Sequence, residues 1–207
     1  MQKDIAQTLL QIKAIKLNLS NPFTWASGWR SPIYCDNRTI LSFPDQRGKV
    51  ARSFAQLIQE SFPEAELVAG VATGAISWGV LAADRLNKPA IYVRSAPKAH
   101  GIGNQIEGKY ERGQKVVVVE DLISTGGSSL AAVEAMRKEG LEVVGMVAIF
   151  TYGFPKAAEN FEKAGVRLIT LSNYNVLIDE ALSSEYITED QVDTLKEWRL
   201  APDQWMK

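Results

Sequence analysis

The sequence contains little of what disulfide-bonded, cysteine-metal or membrane-spanning proteins need. Its 207 residues include one cysteine, Cys35, which excludes an intrachain disulfide and any metal site built from several cysteines. No stretch approaches the roughly 20 consecutive apolar residues of a membrane span, and the N-terminal segment has no apolar run like that of a signal peptide. We therefore expect a soluble cytoplasmic protein with no membrane partner.

An excess of charge of either sign is also absent. Lys and Arg number 23, Asp and Glu number 24, and the formal net charge is −1. Because no global positive field attracts nucleic acid, we expect small molecules as partners and no nucleic acid. No linker rich in Pro, Ser or Gly and no run of like charges divides the chain, so we predict a single domain over residues 1–207.

The spacing of apolar residues predicts alternating helices and strands. Residues 5–17 and 50–62 have the pattern of amphipathic helices. Short apolar runs then alternate with helical segments, the strands at 67–72, 90–93, 116–119, 143–150 and 166–171 and the helices at 75–86, 128–139 and 156–164. Such alternation predicts an α/β fold with an open, mostly parallel sheet that is covered by helices.

Three short signals mark helix ends. Gly140 and Gly165 each follow a predicted helix, where a left-handed backbone conformation is common. Thr188 and Gln191 form a capping-box pattern, which predicts a last helix that runs toward Trp198.

The segment Ser95 to Gln114 does not fit this alternation. It contains four glycines, at positions 101, 103, 108 and 113, and the only histidine, His100. Loops of about 20 residues are uncommon inside a compact domain and are usually functional. A hairpin within the segment is an open alternative.

The most informative segment is KVVVVEDLISTGGSSL, Lys115 to Leu130. Four consecutive valines predict a strand that is buried on both faces, so Glu120 and Asp121 emerge at its carboxyl end, where open α/β sheets bind ligands. The residues that follow lead into a helix and offer backbone N–H groups and hydroxyls to an anion: Ser124, Thr125, Gly126, Gly127 and Ser128.

Carboxylates beside an anion-binding turn suit a sugar phosphate. The carboxylates accept hydrogen bonds from ribose hydroxyls, and the turn binds the phosphate. No Gly-Lys-Ser/Thr sequence ends the turn, so it is not a Walker A loop. By its turn residues alone, the segment also fits a solvated acidic turn at the start of a helix.

The run VVVVEDLISTGG resembles the signature of type I phosphoribosyltransferases, which bind 5-phosphoribosyl 1-diphosphate (PRPP) with Mg²⁺. The resemblance implies the fold of that family, and it implies a PRPP site formed by Glu120, Asp121, Leu122, Ile123, Ser124, Thr125, Gly126, Gly127 and Ser128. In this family the substrates and waters hold most of the Mg²⁺ coordination, so no protein ligand for the metal is assigned.

Two further segments resemble the orotate enzymes of the family. FTWASGWRSPIYCDNR, Phe23 to Arg38, is similar to the segment that distinguishes them, which implies a small N-terminal hood. VRSAPKAHGIGNQIEG resembles their long mobile loop, with Gly101 and Gly103 as candidate hinges.

That loop resemblance implies that Arg94, Lys98 and His100 contact the diphosphate and reach the neighbouring site of a homodimer. Ser124 matches a position that contacts orotate. The implied reaction is phosphoribosyl transfer to orotate in pyrimidine (UMP) biosynthesis, with Asp121, Glu120, Lys98 and His100 as catalytic residues.

The sequence departs from the family at four positions that are often basic: Ala26, Gly74, Ser95 and Tyr152. Because orotate is an anion, these departures concern the orotate contacts more than the PRPP contacts. Arg38, or backbone N–H groups near residues 30–34, are the alternative partners of the orotate anion in place of these cations. Transfer to another base, or a regulatory protein that senses PRPP, are the alternative functions.

Overall fold

The structure is a computed structural model that describes residues 1–25, 27–94 and 105–205. In these ranges the α-helices are α1 (Gln2–Gln11), α2 (Pro44–Ser61), α3 (Ile76–Leu86), α4 (Gly127–Lys138), α5 (Pro155–Lys163), α6 (Tyr174–Ser183) and α7 (Glu189–Leu200), with a 3-10 helix at Asn37–Ser42. The strands are β1 (Ile15–Leu17), β2 (Phe23–Thr24), β3 (Arg30–Ser31), β4 (Ile33–Cys35), β5 (Leu67–Val71), β6 (Ala90–Val93), β7 (Ile106–Glu107), β8 (Lys115–Ile123), β9 (Glu142–Thr151) and β10 (Leu168–Asn173).

The predicted open, mostly parallel sheet is confirmed. Six strands of the described ranges form it in the order β10-β9-β8-β5-β6-β7. All neighbours run parallel except β6 and β7, which pair antiparallel through Val93 and Ile106. Part of the segment predicted as a loop is therefore a strand, β7, which pairs with β6. This pairing differs from a hairpin within residues 95–114, because β6 lies before that segment.

The valine run shows how the sheet divides the core. Val116 and Val118 belong to the cluster that α4 and α5 cover, whereas Val117 and Val119 belong to the larger cluster on the opposite face. All four are fully buried. Because successive side chains of a strand point to opposite faces, an uninterrupted apolar run suits a strand that is covered on both sides.

The N-terminal strands form two small two-stranded sheets outside the main sheet, β1 with β4 and β2 with β3. We call residues 15–38, which contain these strands and the start of the 3-10 helix, the hood. The predicted helix over residues 5–17 is wrong in its second half, because α1 ends at Gln11 and Lys13 has a positive φ of 56°. Ile15 is fully buried as a strand residue paired with Cys35. The spacing of apolar residues in this segment therefore fits a buried helix face and a buried strand equally well.

The remaining helix signals are confirmed in part. Gly140 and Gly165 have positive φ angles of 86° and 60°. The capping box of Thr188 and Gln191 opens α7. Helix α6 was not predicted, although Asn173 caps it by accepting a hydrogen bond from the Val176 N–H at 3.2 Å. No helix of the described ranges has the length and hydropathy to cross a membrane.

Candidate active site

Strand β8 carries the acidic pair to the carboxyl-terminal edge of the sheet. It was predicted to end at Val119, but its pairing with β9 continues to Ile123, opposite Thr151. Glu120 and Asp121 are therefore strand residues whose side chains leave on opposite faces. The two carboxyl groups therefore have different surroundings and different roles.

Asp121 is the carboxylate that faces open space. Its backbone carbonyl accepts a 2.6 Å hydrogen bond from Nδ2 of the buried Asn37, which ties the strand to the hood. Its carboxylate lies against Gly74, where any Cβ would overlap the carboxylate oxygens. Burial raises the pKa of Asp121, and hydrogen bonds from Glu120 and the Leu122 N–H oppose the rise. The glycine at position 74, a departure from the family pattern, thus makes room for Asp121.

Glu120 is buried beneath the start of α4, with 5% of its surface exposed. Its Oε2 accepts a 2.8 Å hydrogen bond from Ser129 Oγ, and its Oε1 accepts a 2.9 Å hydrogen bond from the Asp121 N–H. Burial, with the charge of Asp121 beside it, raises the pKa of Glu120 to about 8. Near neutral pH the carboxyl therefore keeps its proton, and one negative charge is shared in this pair.

The substitution Glu120→Gln tests this protonation state. Between its ordinary pKa of 4.5 and about 8, the folded protein holds a proton that the unfolded chain has released. The stabilisation is complete below the lower value and is lost as the pH rises through the upper one. We expect the free energy of unfolding to fall over this window by up to about 1.4 kcal/mol per pH unit.

The variant, which is neutral at every pH, should lack this part of the slope. Urea unfolding at a series of pH values measures it in both proteins. Parallel pH profiles for the two would contradict a protonated Glu120.

The turn from Ser124 to Ser128 leads directly into α4. Gly126 has a φ of 81° and packs on Phe161, whose ring a Cβ would approach to 2.6 Å. Asn160 Nδ2 donates a 2.9 Å hydrogen bond to the Thr125 carbonyl and fixes the other side of the turn. No described residue accepts a hydrogen bond from the N–H groups of residues 125–128, which begin a helix and suit an anion.

A cavity of about 390 Å³ joins these elements, and we call it the carboxylate cavity. The residues that line it come from β8, from the turn after β5, from the start of α4 and from the end of the hood: Glu120, Asp121, Leu122, Val71, Ala72, Thr73, Gly74, Ser128, Cys35, Asp36 and Arg38. It brings the acidic pair together with Ser128 of the turn, and anion binding by that turn stays a prediction.

A second cavity, of about 490 Å³, lies beside the first, and we call it the aromatic pocket. Its lining combines hood residues with residues that follow β8 and β9: Thr24, Trp25, Tyr34, Cys35, Leu122, Ser124 and Tyr152. Cys35 and Leu122 line both cavities and therefore separate them. A flat ring in the aromatic pocket would lie next to whatever occupies the carboxylate cavity.

The aromatic wall of this pocket was not predicted, because its residues are distant in sequence. Trp25 lies 5.0 Å from Tyr152 and 5.6 Å from Trp198, measured between ring centroids. The indole of Trp25 donates to the Ile33 carbonyl at 3.1 Å, so Trp25 offers the pocket only its ring. Burial raises the pKa of Tyr152 well above its usual value, so its hydroxyl stays neutral and can donate a hydrogen bond.

Cys35 lines both cavities. It is half-buried, and its Sγ lies 3.3 Å from Asn37 Oδ1. Burial and the nearby Asp121 raise the pKa of its thiol well above the usual value. A protonated thiol is a weak nucleophile, so we assign Cys35 no nucleophilic role.

Of the three cationic residues predicted to contact the diphosphate, the structure describes only Arg94. Arg94 follows β6 and forms a 3.5 Å ion pair with Glu107 across the hairpin. It does not line the carboxylate cavity as that cavity is described. Lys98 and His100 lie outside the described residues, as do Ala26, Ser95, Gly101 and Gly103.

Comparisons with known proteins agree with this geometry. The family model "Phosphoribosyl transferase domain" matches residues 38–184. The chain is 56% identical to the orotate phosphoribosyltransferase of Porphyromonas gingivalis over 98% of this chain and 97% of that protein. Its structure is similar to the orotate phosphoribosyltransferase of Aeropyrum pernix, with a TM-score of 0.75, 29% identity and coverage of 89% and 99% of the two chains.

A second similar structure contains PRPP. The orotate phosphoribosyltransferase of Mycobacterium tuberculosis in complex with PRPP has a TM-score of 0.67 and 26% identity to this chain. The match covers 84% of this chain and 97% of the other.

Proposed function

Since the chain belongs to the orotate phosphoribosyltransferase family, we propose that it transfers the 5-phosphoribosyl group of PRPP to orotate and releases diphosphate. One observation carries the proposal most directly: an acidic strand end, a turn whose N–H groups at residues 125–128 have no acceptor among the described residues, and a pocket lined by aromatic rings meet at one edge of the sheet. Pentose, phosphate and base each have a chemically suited neighbour there. The products are orotidine 5′-monophosphate and diphosphate, a step of pyrimidine biosynthesis.

PRPP would occupy the carboxylate cavity. Asp121 accepts hydrogen bonds from the ribose hydroxyls, and Glu120 supports it from below through its hydrogen bond to the Asp121 N–H. The 5-phosphate binds the hydroxyls of Ser124, Thr125 and Ser128 and the N–H groups of residues 125–128, which include Gly126 and Gly127 and have no acceptor among the described residues. Leu122 and Ile123, the last residues of β8, lead into this turn and complete the proposed PRPP site.

Orotate would occupy the aromatic pocket, with Ser124 and Tyr152 as hydrogen-bond donors. Its N1 attacks C1 of the ribose and loses its proton, while the bond from C1 to the diphosphate oxygen breaks. Positive charge develops on the ribose, as in glycoside hydrolysis, so the transition state resembles an oxocarbenium ion. The negative charge of Asp121, held beside the ribose, stabilises that state.

The leaving diphosphate needs positive charge. Arg94, Lys98 and His100 supply it in this proposal, and closure of their loop excludes water that would hydrolyse PRPP. The half-buried carboxylate of Asp121 and the oxygen-rich substrates fit Mg²⁺, which prefers oxygen ligands. When bound, mainly by substrate oxygens and waters, Mg²⁺ neutralises the diphosphate.

We also propose that residues 1–207 form one phosphoribosyltransferase domain that works in the cytoplasm as a homodimer. A continuous core that includes Ile5 of α1 and Trp198 of α7 supports the single domain. The free thiol of Cys35 suits a reducing compartment.

A direct assay tests the proposed reaction. The protein is incubated with PRPP, Mg²⁺ and, separately, orotate, uracil or a purine base, while base absorbance and diphosphate release are followed. We expect turnover with orotate alone. Turnover with another base would favour a different phosphoribosyltransferase, and PRPP binding without turnover of any base would favour a regulatory protein.

Lys98→Ala tests the proposed role of the loop. Turnover should fall by about 10², the scale for loss of one preorganised electrostatic contact. Lys109→Ala is the matched control, because Lys109 is an exposed lysine that follows β7 and lines neither cavity. Steady-state rates that stay normal in Lys98→Ala would remove Lys98 from the mechanism.

The same variant tests the homodimer when it is mixed with Asp121→Ala. If Lys98 serves the site of the neighbouring subunit, hybrid dimers contain one complete site and regain activity. No recovery after subunit exchange would argue against sites that are shared between subunits.

A further inference from the structure

We infer that Arg30, acting through the hydroxyl of Thr24, supplies the positive charge that recognises the carboxylate of orotate. The inference rests on the proposed function, because it concerns the substrate of that site. It makes Arg30 a specificity-determining residue of that site.

A positive charge that recognises orotate must come from a residue that does not line the aromatic pocket. No Lys, Arg or His is among the described residues that line it. An anionic base that enters an apolar pocket loses hydration, and only paired charges or strong donors offset that loss. Hydroxyls of Thr24, Ser124 and Tyr152 are donors, yet neutral donors bind a carboxylate less strongly than charge-assisted ones do.

Two arginines close to the site already have carboxylate partners. Arg38 donates to both oxygens of Asp36, at 2.7 Å and 3.0 Å. Arg94 pairs with Glu107 at 3.5 Å. Both charges are therefore partly neutralised, and Arg38 lines the carboxylate cavity and not the aromatic pocket.

Arg30 differs from both, since no carboxylate of the described chain pairs with it. Its Nη1 donates a 3.1 Å hydrogen bond to Oγ1 of Thr24, a lining residue of the aromatic pocket. Because that oxygen accepts from Arg30, the Thr24 hydroxyl proton is free to be donated to a ligand. Hydrogen bonds in a chain polarise one another, so the guanidinium strengthens the donor at the pocket wall.

The position of Arg30 is built into the fold. Arg30 and Thr24 are directly opposite each other in the antiparallel pair β2 and β3. The carbonyl of Arg30 accepts a 3.2 Å hydrogen bond from Nε1 of the fully buried Trp198. Helix α7 thus holds the backbone from which the guanidinium reaches Thr24.

Steady-state kinetics of Arg30→Ala tests the inference. We expect KM for orotate to rise about tenfold or more, the scale for loss of a hydrogen bond that involves a charged group. KM for PRPP should change little, because Arg30 does not line the carboxylate cavity. A loosened fold would instead affect both substrates.

Conservative variants separate charge from packing. Arg30→Lys keeps the charge and should show a smaller rise in KM for orotate than Arg30→Ala. Thr24→Val removes the linking hydroxyl at nearly constant volume and should raise the same KM, whereas Thr24→Ser should raise it less.

Three results would overturn the inference: an unchanged KM for orotate in Arg30→Ala, an equal rise in both KM values, or no difference between the Lys and Ala variants. A wild-type protein that does not consume orotate would instead refute the proposed function. The two failures are therefore distinguishable in one set of assays.

Discussion

Asp121→Asn should lower kcat/KM for PRPP by about 10³, the upper end of the range for removal of one preorganised electrostatic contact. The amide keeps the volume of the side chain beside Gly74, so the carboxylate cavity keeps its shape. It removes the charge that faces the ribose. The neighbouring Glu120 does not replace that charge, because its carboxyl is buried beneath the start of α4 and is hydrogen-bonded to Ser129.

The variant separates binding from chemistry. PRPP affinity, measured by calorimetry, should fall less than kcat, because positive charge on the ribose develops only in the transition state. Asp84→Asn, at an exposed carboxylate on α3, is the control for loss of one acidic charge and should match the wild type. If Asp121→Asn turns over PRPP within tenfold of the wild type, the proposed role of Asp121 is wrong.

Gly126→Ala should reduce activity by a similar factor, because it disturbs several anion-binding N–H groups at once. The residue has a φ of 81°, and the new methyl would approach the Phe161 ring to 2.6 Å. Strain and overpacking together should cost about 2–4 kcal/mol of stability. Relief of the clash requires the turn to move away from the 5-phosphate.

Gly165→Ala is the matched control. Gly165 also has a positive φ, of 60°, but its Cβ would meet no atom within 4 Å. The control should lose about 1–2 kcal/mol of stability from the left-handed backbone alone and keep its activity. Thermal unfolding and PRPP-dependent turnover measure both quantities, and normal turnover in Gly126→Ala would show that the turn does not bind the phosphate.

The sequence allowed prediction of those parts of the site that are continuous in the chain. Strand β8, the acidic pair and the turn before α4 all lie between Lys115 and Ser129. Backbone hydrogen bonding and side-chain alternation act over a few residues, so a strand, a turn and a helix start in succession determine where Asp121 lies relative to the turn.

Local patterns failed where burial is compatible with more than one backbone conformation. Ile12 and Ile15 have helical spacing, yet Ile15 belongs to β1, because pairing with β4 gives its backbone polar groups partners in the hood. Helix α6 was not predicted for a related reason. Its N-cap residue, Asn173, is also the last residue of β10, so no loop separates the strand from the helix.

The aromatic pocket required the tertiary structure. Thr24, Ser124 and Tyr152 come from three separate parts of the chain, and no spacing rule relates them. The same is true of the contact from Asn37 to Asp121, which joins residues 84 positions apart. In the sequence, Gly74 and Tyr152 stand at positions that are often basic in the family. In the structure, Gly74 makes room for the carboxylate of Asp121, and Tyr152 forms part of the aromatic wall of the pocket.

Thus the sequence by itself determined the alternation of strands and helices, the buried valine strand and the order of the acidic pair and the turn after it, because each depends on interactions between near neighbours in the chain. Only the tertiary structure decided which arginine lies beside the pocket without a carboxylate partner among the described residues and which carboxyl keeps its proton. Those properties depend on burial and on the charges that folding brings together, and both are set by residues far apart in the sequence.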